Sequence, residues 1–293
     1  MEKFYLCLPC AAACLLVGGI TLAGCSSSDD NSETPSIIDP VLQVGSPSRV
    51  FVNDVPKTTP EVKSITLDNQ GRVSTMITDN GKVSFTYSQT RADVPAYDVK
   101  MVVDDSDDST GSTDSTYIYT LYLKLGTNGF ITEAIEYNDG DNTQNWKLGY
   151  TDDGRLNYAE GSGRIYSMTY NNEGDLTQVH SKSEDGDSIG SNSGWNEKYN
   201  FEYTSSDNAS MVENKGCIME WYRIYEVDLD RLAYAYYAGL LGKATTHLPF
   251  KATYAESYET KNYMFSWILN KDNYPTELKI VYSGNSESYN YGW

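Results

Sequence analysis

The residue with the clearest chemistry in this chain is Cys25, which closes the phrase Leu22-Ala23-Gly24-Cys25. Ahead of it stand Lys3 and an apolar run from about Cys7 to Ile20. A positive start, a short apolar core and small residues before the cut form a secretory signal. The run is too short for a comfortable membrane span of about 20 residues. Cysteine at the cut makes it a lipoprotein signal, in which the thiol is lipidated and the new amine acylated. Residues 1–24 are therefore read as the removed signal and Cys25 as the lipidated N-terminus. Several acyl chains anchor firmly where one is marginal, since each buried CH₂ contributes about 0.8 kcal/mol.

The other reactive side chains assemble no recognisable site. His180 and His247 are the two histidines, far apart and without ligand spacing, so neither zinc nor a histidine-based triad is expected. Each reads as an ordinary surface or cap residue. Gly239-Leu240-Leu241-Gly242-Lys243-Ala244 is a poor phosphate loop: its glycines are too close, and Ala stands where Ser or Thr is needed. Acidic clusters at Asp104, Asp105, Asp107, Asp108 and at Asp139, Asp141 lack the glycine of a calcium loop and read as solvated loops. Carboxylate pairs for glycoside hydrolysis need only be close in space, so the sequence leaves them open. No catalytic residue, metal ligand or cofactor is assigned, and no catalysis is expected. Trp195, at the end of a polar loop over 184–194, is the aromatic least explained by core packing. It reads as a ligand contact, a ring on which a sugar stacks.

The elements that must position these residues follow from a repeated turn. Tyr150-Thr151-Asp152-Asp153-Gly154-Arg155-Leu156 and Tyr170-Asn171-Asn172-Glu173-Gly174-Asp175-Leu176 share one grammar: an apolar anchor four residues before a glycine and an aliphatic residue two after it. Looser copies centre on Gly71, Gly129 and Asn273. A polar turn closing on a residue with positive φ is a hairpin loop with a Gly bulge. Trp146, Leu148 and Tyr150 then share one face of the incoming strand, as do Tyr166, Met168 and Tyr170. Lys147, Gly149, Ser167 and Thr169 fall on the other. The fold class is all-β: an antiparallel meander of roughly fifteen strands, forming a curled sheet or partly closed barrel. One amphipathic helix is expected near residues 228–241, with apolar positions at i, i+3, i+4 from Leu229 to Leu241. Asp228 is its expected N-cap and Gly242 its C-cap. A sheet with one apolar face must cover it, so the helix reads as a plug inside the curl.

The phrase from Tyr150 to Leu156 resembles the tyrosine-aspartate repeats of wrapping β-shell proteins, though the glycines here are less evenly spaced. The lipobox, acidic linker, hairpins and late Gly-Leu-Leu-Gly-Lys phrase (239–243) together resemble a family of Bacteroidota lipoproteins of unknown function with a porin-like fold. That resemblance covers most of the chain after about residue 48 and implies a fold without an activity. Cys25-Ser26-Ser27-Ser28-Asp29-Asp30 resembles the acidic export signal that sends lipoproteins of that phylum to the cell surface. Asp108-Ser109-Thr110, Asp114-Ser115-Thr116 and Asp187-Ser188-Ile189 resemble its short O-glycosylation motif, which makes Ser109, Ser115 and Ser188 acceptor candidates.

Charge and cysteine usage bound the rest. A net charge of −19 repels nucleic acid and anionic headgroups. Of five cysteines, Cys217 alone remains after processing and lipidation, so the fold stands on burial without a disulfide. Residues 25–47 read as a disordered acidic, Ser-rich tether and 48–293 as a single β domain. The expected protein is an outer-membrane lipoprotein, lipid-anchored and exposed at the cell surface, with the periplasmic face as alternative. It would bind a glycan or a surface protein; the alternatives are a pore-like barrel or a glycan-active enzyme.

Overall fold

Five turns of one build recur in the computed structural model, which describes residues 56–87, 97–105, 117–183, 196–204, 210–255 and 260–293. In the turn after Tyr150, the Thr151 N–H donates to the Arg155 carbonyl (2.8 Å) and the Gly154 N–H donates back to Thr151 (2.9 Å). The same two bonds close the turns at Asp68/Gly71/Arg72, Gly126/Gly129/Phe130, Asn171/Gly174/Asp175 and Asn270/Asn273/Tyr274. In four of them the first side chain also accepts the backbone N–H four residues on, as Asn171 does from Asp175 at 2.9 Å. These are polar residues capping their own turn. Gly154 sits at φ +90°, and Asn273 fills the corresponding position at +65°, the left-handed region that Asn tolerates best after Gly.

Between the turns run antiparallel strands in sequence order. They are β1 (Val62–Leu67), β2 (Val73–Thr78), β3 (Lys82–Tyr87), β4 (Val99–Asp104), β5 (Ile118–Leu125) and β6 (Ile131–Asn138). The series continues with β7 (Asp141–Tyr150), β8 (Leu156–Gly161), β9 (Arg164–Tyr170), β10 (Leu176–Ser183) and β11 (Asn196–Glu202). The chain then leaves the sheet and pairs β12 (Val212–Glu213) with β13 (His247–Leu248). It returns as β14 (Lys251–Ala255), β15 (Thr260–Leu269), β16 (Pro275–Tyr282) and β17 (Asn285–Asn290). Fifteen strands thus form one antiparallel sheet whose neighbours follow chain order, a meander broken once by the excursion between β11 and β14. Its two ends touch: Gly292 bridges Thr58, with Gly292 N–H donating to the Thr58 carbonyl at 3.0 Å.

Antiparallel order places successive connections at alternate ends of the strands. All five Gly or Asn turns fall at one end, the turn end. The tight turns at Asp139-Gly140, Ser162-Gly163 and Ser283-Gly284 fall at the opposite, loop end, as do the connections from β4 to β5 and from β10 to β11.

One face of the sheet is apolar and buried. Trp146, Leu148, Tyr166 and Met168 all lie on it, while Lys147, Ser167 and Thr169 on the alternate positions are exposed. That face packs on the chain between β12 and β14, where Trp221, Ile224, Tyr225, Val227, Leu229, Leu232 and Leu241 are buried. Burying each such side chain contributes roughly 1.5–3 kcal/mol. The outward positions run to Ser, Thr, Lys, Glu and Asn, with exposed apolar side chains such as Ile77, Ile118, Met264, Ile268 and Val281 among them.

A helix forms within the expected stretch, but it is shorter than expected, 3₁₀ in type and differently capped. Instead of three α turns from Asp228 to Leu241, the chain makes a short 3₁₀ helix, Asp230–Tyr236. Its N-cap residue is Leu229, which makes no side-chain cap bond. The Asp228 carboxylate accepts the Asp230 N–H at 3.1 Å as a local turn. Gly239 at φ +74° breaks the helix before Gly242 can cap it. The apolar residues show no stripe with a wet back, because Leu232, Ala235, Tyr236, Tyr237, Ala238, Leu240 and Leu241 are all buried. From Ala235 to Leu241 every residue is buried, and packing there overrides helical periodicity. The Gly-Leu-Leu-Gly-Lys phrase docks on the turn end: Lys243 N–H donates to the Gly154 carbonyl at 2.9 Å, and Ile131 N–H to Leu240 at 2.9 Å.

Candidate functional site

At the loop end the inner face of the sheet passes beyond the plug's apolar packing and carries tyrosines. Register places them on one face. Tyr199 pairs with Tyr254 across β11 and β14, and Tyr263 with Tyr282 across β15 and β16. The ring centroids lie 4.9 Å apart in the first pair and 5.6 Å in the second. β17 adds Tyr289 and Glu287 on the same face, opposite Leu278 and Ile280. Glu287 accepts the Tyr282 hydroxyl at 2.6 Å and is also hydrogen-bonded by Tyr289. Tyr263, Tyr282 and Tyr289 are half-buried and Glu287 is exposed. The rings are thus held by neighbours on one side and open on the other.

The plug contributes the floor. Arg223 lies over the Tyr289 ring, 4.8 Å from its centroid, and pairs with Glu61 (2.7 Å) and Glu220 (2.9 Å). The Tyr291 hydroxyl donates to the other Glu220 oxygen at 3.0 Å. Burial raises the Glu220 carboxyl above its ordinary range, and Arg223 offsets part of that. Burial pulls on Arg223 the other way, but Glu220 and Glu61 hold its guanidinium above its usual value. Glu226, at φ +54°, is pushed up to about 7 by burial and then by Glu197, with Arg164 opposing.

Glu61 and Glu220 also line a cavity of about 330 Å³ that continues to Asn80, Asp105, Tyr222, Asp228, Asp230 and Arg231. Among the described residues, Tyr222 is the most exposed of the large aromatic side chains, at 62%. Trp221 lines the cavity from below, and its indole N–H has no acceptor among the described residues. Arg231 lies 3.2 Å above the Tyr119 ring and 3.5 Å from Asp105. Aromatic faces, carboxylate acceptors and guanidinium donors converge here. Such a surface offers flat apolar faces beside charged hydrogen-bond partners.

The residues singled out in the sequence fare unevenly. Cys25, Ser109, Ser115, Ser188 and Trp195 lie outside the described residues, as do Asp107 and Asp108. Trp195 directly precedes Asn196, the first residue of β11, whose start is at the loop end. His180 faces outward and contacts Asn196 at 2.6 Å. His247 departs from the surface role expected of it. Its ring Nδ1 lies 2.8 Å from Asp175 Oδ2, and its backbone N–H donates to Asp175 Oδ1 at 2.8 Å. Glu173, Asp175 and His247 offer ligand atoms within 4.8 Å of one another. Both Asp175 oxygens are engaged by His247, so the group acts as a clamp between the second repeat turn and β13. Asp139 sits in the tight turn between β6 and β7, and Asp141 opens β7. Nothing in the sequence marks the tyrosines of β14 to β17 as a site. Their spacing is that of any strand, and only register joins them.

No protein-family model matches the chain, and no curated protein matches it. Among solved structures it is similar to a porin-like protein from Bacteroides vulgatus ATCC 8482, at 13% identity and a TM-score of 0.50, over 82% of this chain and 98% of that one. It is also similar to a porin-like protein from Bacteroides uniformis ATCC 8492, at 14% identity and a TM-score of 0.49, over 78% of this chain and 87% of that one. The first likeness shows a shared fold. The porin-like fold expected from the hairpins and the Gly-Leu-Leu-Gly-Lys phrase is therefore present.

Proposed function

We propose that this chain is a surface-tethered lipoprotein whose β domain binds a glycan at the loop end without turning it over. The observation that carries the reading is the run of half-buried tyrosines, Tyr263, Tyr282 and Tyr289, held by Glu287 and Arg223 on the inner face. Tyr263 and Tyr282 stand at the loop end of their strands, beyond the buried Phe265, Leu278 and Ile280, while Tyr289 lies opposite Leu278. Each ring is pinned at its hydroxyl or by a neighbour, so a sugar meets surfaces already ordered. Trp195, next to β11 in sequence, is a further contact in this reading. The lipobox ending at Cys25 supplies the anchor, and the acidic tether lets the domain stand off the membrane.

A conducting barrel is the alternative that the fold likeness raises. A lipid-facing belt of apolar side chains would be required, and outward positions such as Lys147, Ser167, Thr169 and Lys279 are polar. The interior is filled by the plug. Both observations favour a domain that works in water.

A glycan array probed with the full-length protein, run beside a sugar-release assay, tests the proposal. Binding that is lost in Tyr263→Ala and Tyr282→Ala at unchanged melting temperature is the expected result. An empty array with recovery of a protein partner would replace the glycan, and released sugar would overturn the absence of turnover. Cys25→Ala should free the protein from the membrane; continued membrane association would remove the anchor from the reading.

A further inference from the structure

Two hydroxyls of the tyrosine run converge on one exposed carboxylate. Tyr282 donates to Glu287 Oε1 at 2.6 Å, and Tyr289 donates to Oε2. A carboxylate offers about four acceptor positions, so each oxygen keeps one after its tyrosine is served. Hydrogen bonds from Tyr282 and then Tyr289 hold the Glu287 carboxyl below its ordinary range, so these acceptors stay charged in mild acid. Glu287 is exposed, and β17 is an edge strand laddered to β16 on one side. The carboxylate is therefore open to a molecule lying on the rings.

This pattern decides what such a molecule must bring. Tyr282 and Tyr289 spend their protons on Glu287, so together the three side chains present acceptors. The cations nearby are engaged. Arg223, over the Tyr289 ring, pairs with Glu61 and Glu220. Arg164 faces Tyr166, Asp228 and Glu197, and Lys261 lies over the Tyr254 ring. Two more carboxylates back the same end of the sheet: Glu197 accepts the Tyr254 hydroxyl at 3.4 Å, and Glu226 acts on Tyr199 and Tyr282. A ligand rich in hydroxyl donors is attracted here, and one carrying a carboxylate or sulfate is repelled. A ligand with capped oxygens displaces water from Glu287 and returns no donor, which costs a charged acceptor more than a neutral one.

We infer that Glu287 sets the specificity of the loop-end site, selecting neutral sugars with two adjacent free hydroxyls, one donated to each carboxylate oxygen, while the apolar face of the sugar lies on the tyrosines. The inference rests on the glycan-binding reading and narrows it to a class. Hydrogen bonds to a charged acceptor are stronger than those between neutral groups. Two of them on one carboxylate fix the orientation of the sugar as well as its position. The same group excludes acidic sugars by charge and hydroxyl-capped sugars for want of a donor.

The test is an array of neutral glycans, each printed beside a uronate-bearing and an O-methylated counterpart, probed with detergent-solubilised full-length protein. It is read at about 0.15 M and about 1 M salt, between which the Debye length falls from about 8 to about 3 Å, so that general repulsion by the acidic chain is screened. Binding confined to the unmodified neutral spots at both salts is expected. Glu287→Gln, at an exposed position, should keep the melting temperature and weaken the neutral hits at least about tenfold. It should also let their uronate counterparts bind as well as they do, whereas a change that merely disturbed the tyrosines would weaken every spot alike. If Glu287→Gln melts lower than wild type, the wild-type pattern decides alone. Uronate-bearing or O-methylated glycans bound by wild type as well as the neutral ones would overturn the inference and leave glycan binding standing. Wild-type preferences in a stably folded Glu287→Gln protein would do the same. An empty array would remove both.

Discussion

Tyr170 donates its hydroxyl to the backbone carbonyl of Leu156 at 2.8 Å, across the hairpin that joins β8 to β9. The relationship recurs at every copy of the repeat. Tyr87 reaches Val73 (3.0 Å), Tyr150 reaches Ile131 (2.8 Å), Tyr203 reaches Leu176 (3.0 Å) and the Trp293 indole reaches Pro275 (2.7 Å). Each acceptor is the residue two after the Gly or Asn of the turn. The strand register slips just after that residue at each of these turns, skipping the next one, which locally disrupts the ladder. An aromatic donor on the strand after it supplies the bond. Where the donor is Tyr150 or Tyr170 it is also the aromatic anchor of the next copy, so there the anchor and the aliphatic residue of successive copies form two halves of one latch.

Tyr170→Phe should therefore cost about 1 kcal/mol, the usual worth of a hydrogen bond lost with its partner left in place. Urea unfolding measures it. A change below a few tenths of a kcal/mol would mean that water replaces the hydroxyl freely. Ligand binding at the loop end should not move, because the latch lies at the turn end.

Gly242→Ala should destabilise by more than about 2 kcal/mol. Gly242 sits at φ +85°, and a Cβ there would come within 2.9 Å of the Gly154 carbonyl oxygen and 3.1 Å of the Tyr150 ring. The left-handed backbone alone costs an ordinary residue about 1–2 kcal/mol, and the contacts are with backbone and a packed ring. Thermal unfolding gives the answer, and a melting temperature equal to wild type would contradict the docking of the plug on that turn.

Leu232 has no exposed surface, although it lies in a 3₁₀ turn instead of an α-helix. Leu232→Ala should cost about 2–5 kcal/mol as a core truncation, and Leu232→Asp should prevent folding at ordinary temperature. Circular dichroism at the aromatic bands reads both. Wild-type melting in Leu232→Asp would place the plug outside the core.

Glu226 makes stability depend on pH in a defined direction. Its carboxyl titrates at about 7 in the fold against 4.5 when free, so the folded state holds the proton more tightly. The stabilisation is fully present below pH 4.5, declines as the pH rises, and is gone above about 7. Its size is roughly 2 kcal/mol once partial exposure is allowed for. Glu226→Gln should remove this slope and raise stability in the alkaline range. Denaturant unfolding across the window measures it, and an unchanged slope in the variant would assign the effect elsewhere.

Local chemistry made much of this protein legible in its sequence. The turn at Thr151–Arg155 forms because a capping side chain, polar residues and a glycine able to take positive φ stand in that order, whatever lies around them. The alternation at Trp146, Leu148 and Tyr150 fixes which face is buried, because successive side chains of a strand point to opposite sides. Those two rules suffice for an antiparallel meander of about fifteen strands with an apolar inner face. The segment from Asp228 to Leu241 shows where such rules stop. Its spacing suits an α-helix, but a segment whose second half is wholly buried answers to the shape of its container, and Gly239 and the docking of Lys243 on Gly154 decided its path. The pairing of His247 with Asp175, 72 residues apart, and the gathering of Tyr263, Tyr282, Tyr289 and Arg223 depend on how far the sheet curls and where the plug re-enters it. Those distances are set by the sum of many weak contacts over the whole chain, so no stretch of sequence contains them.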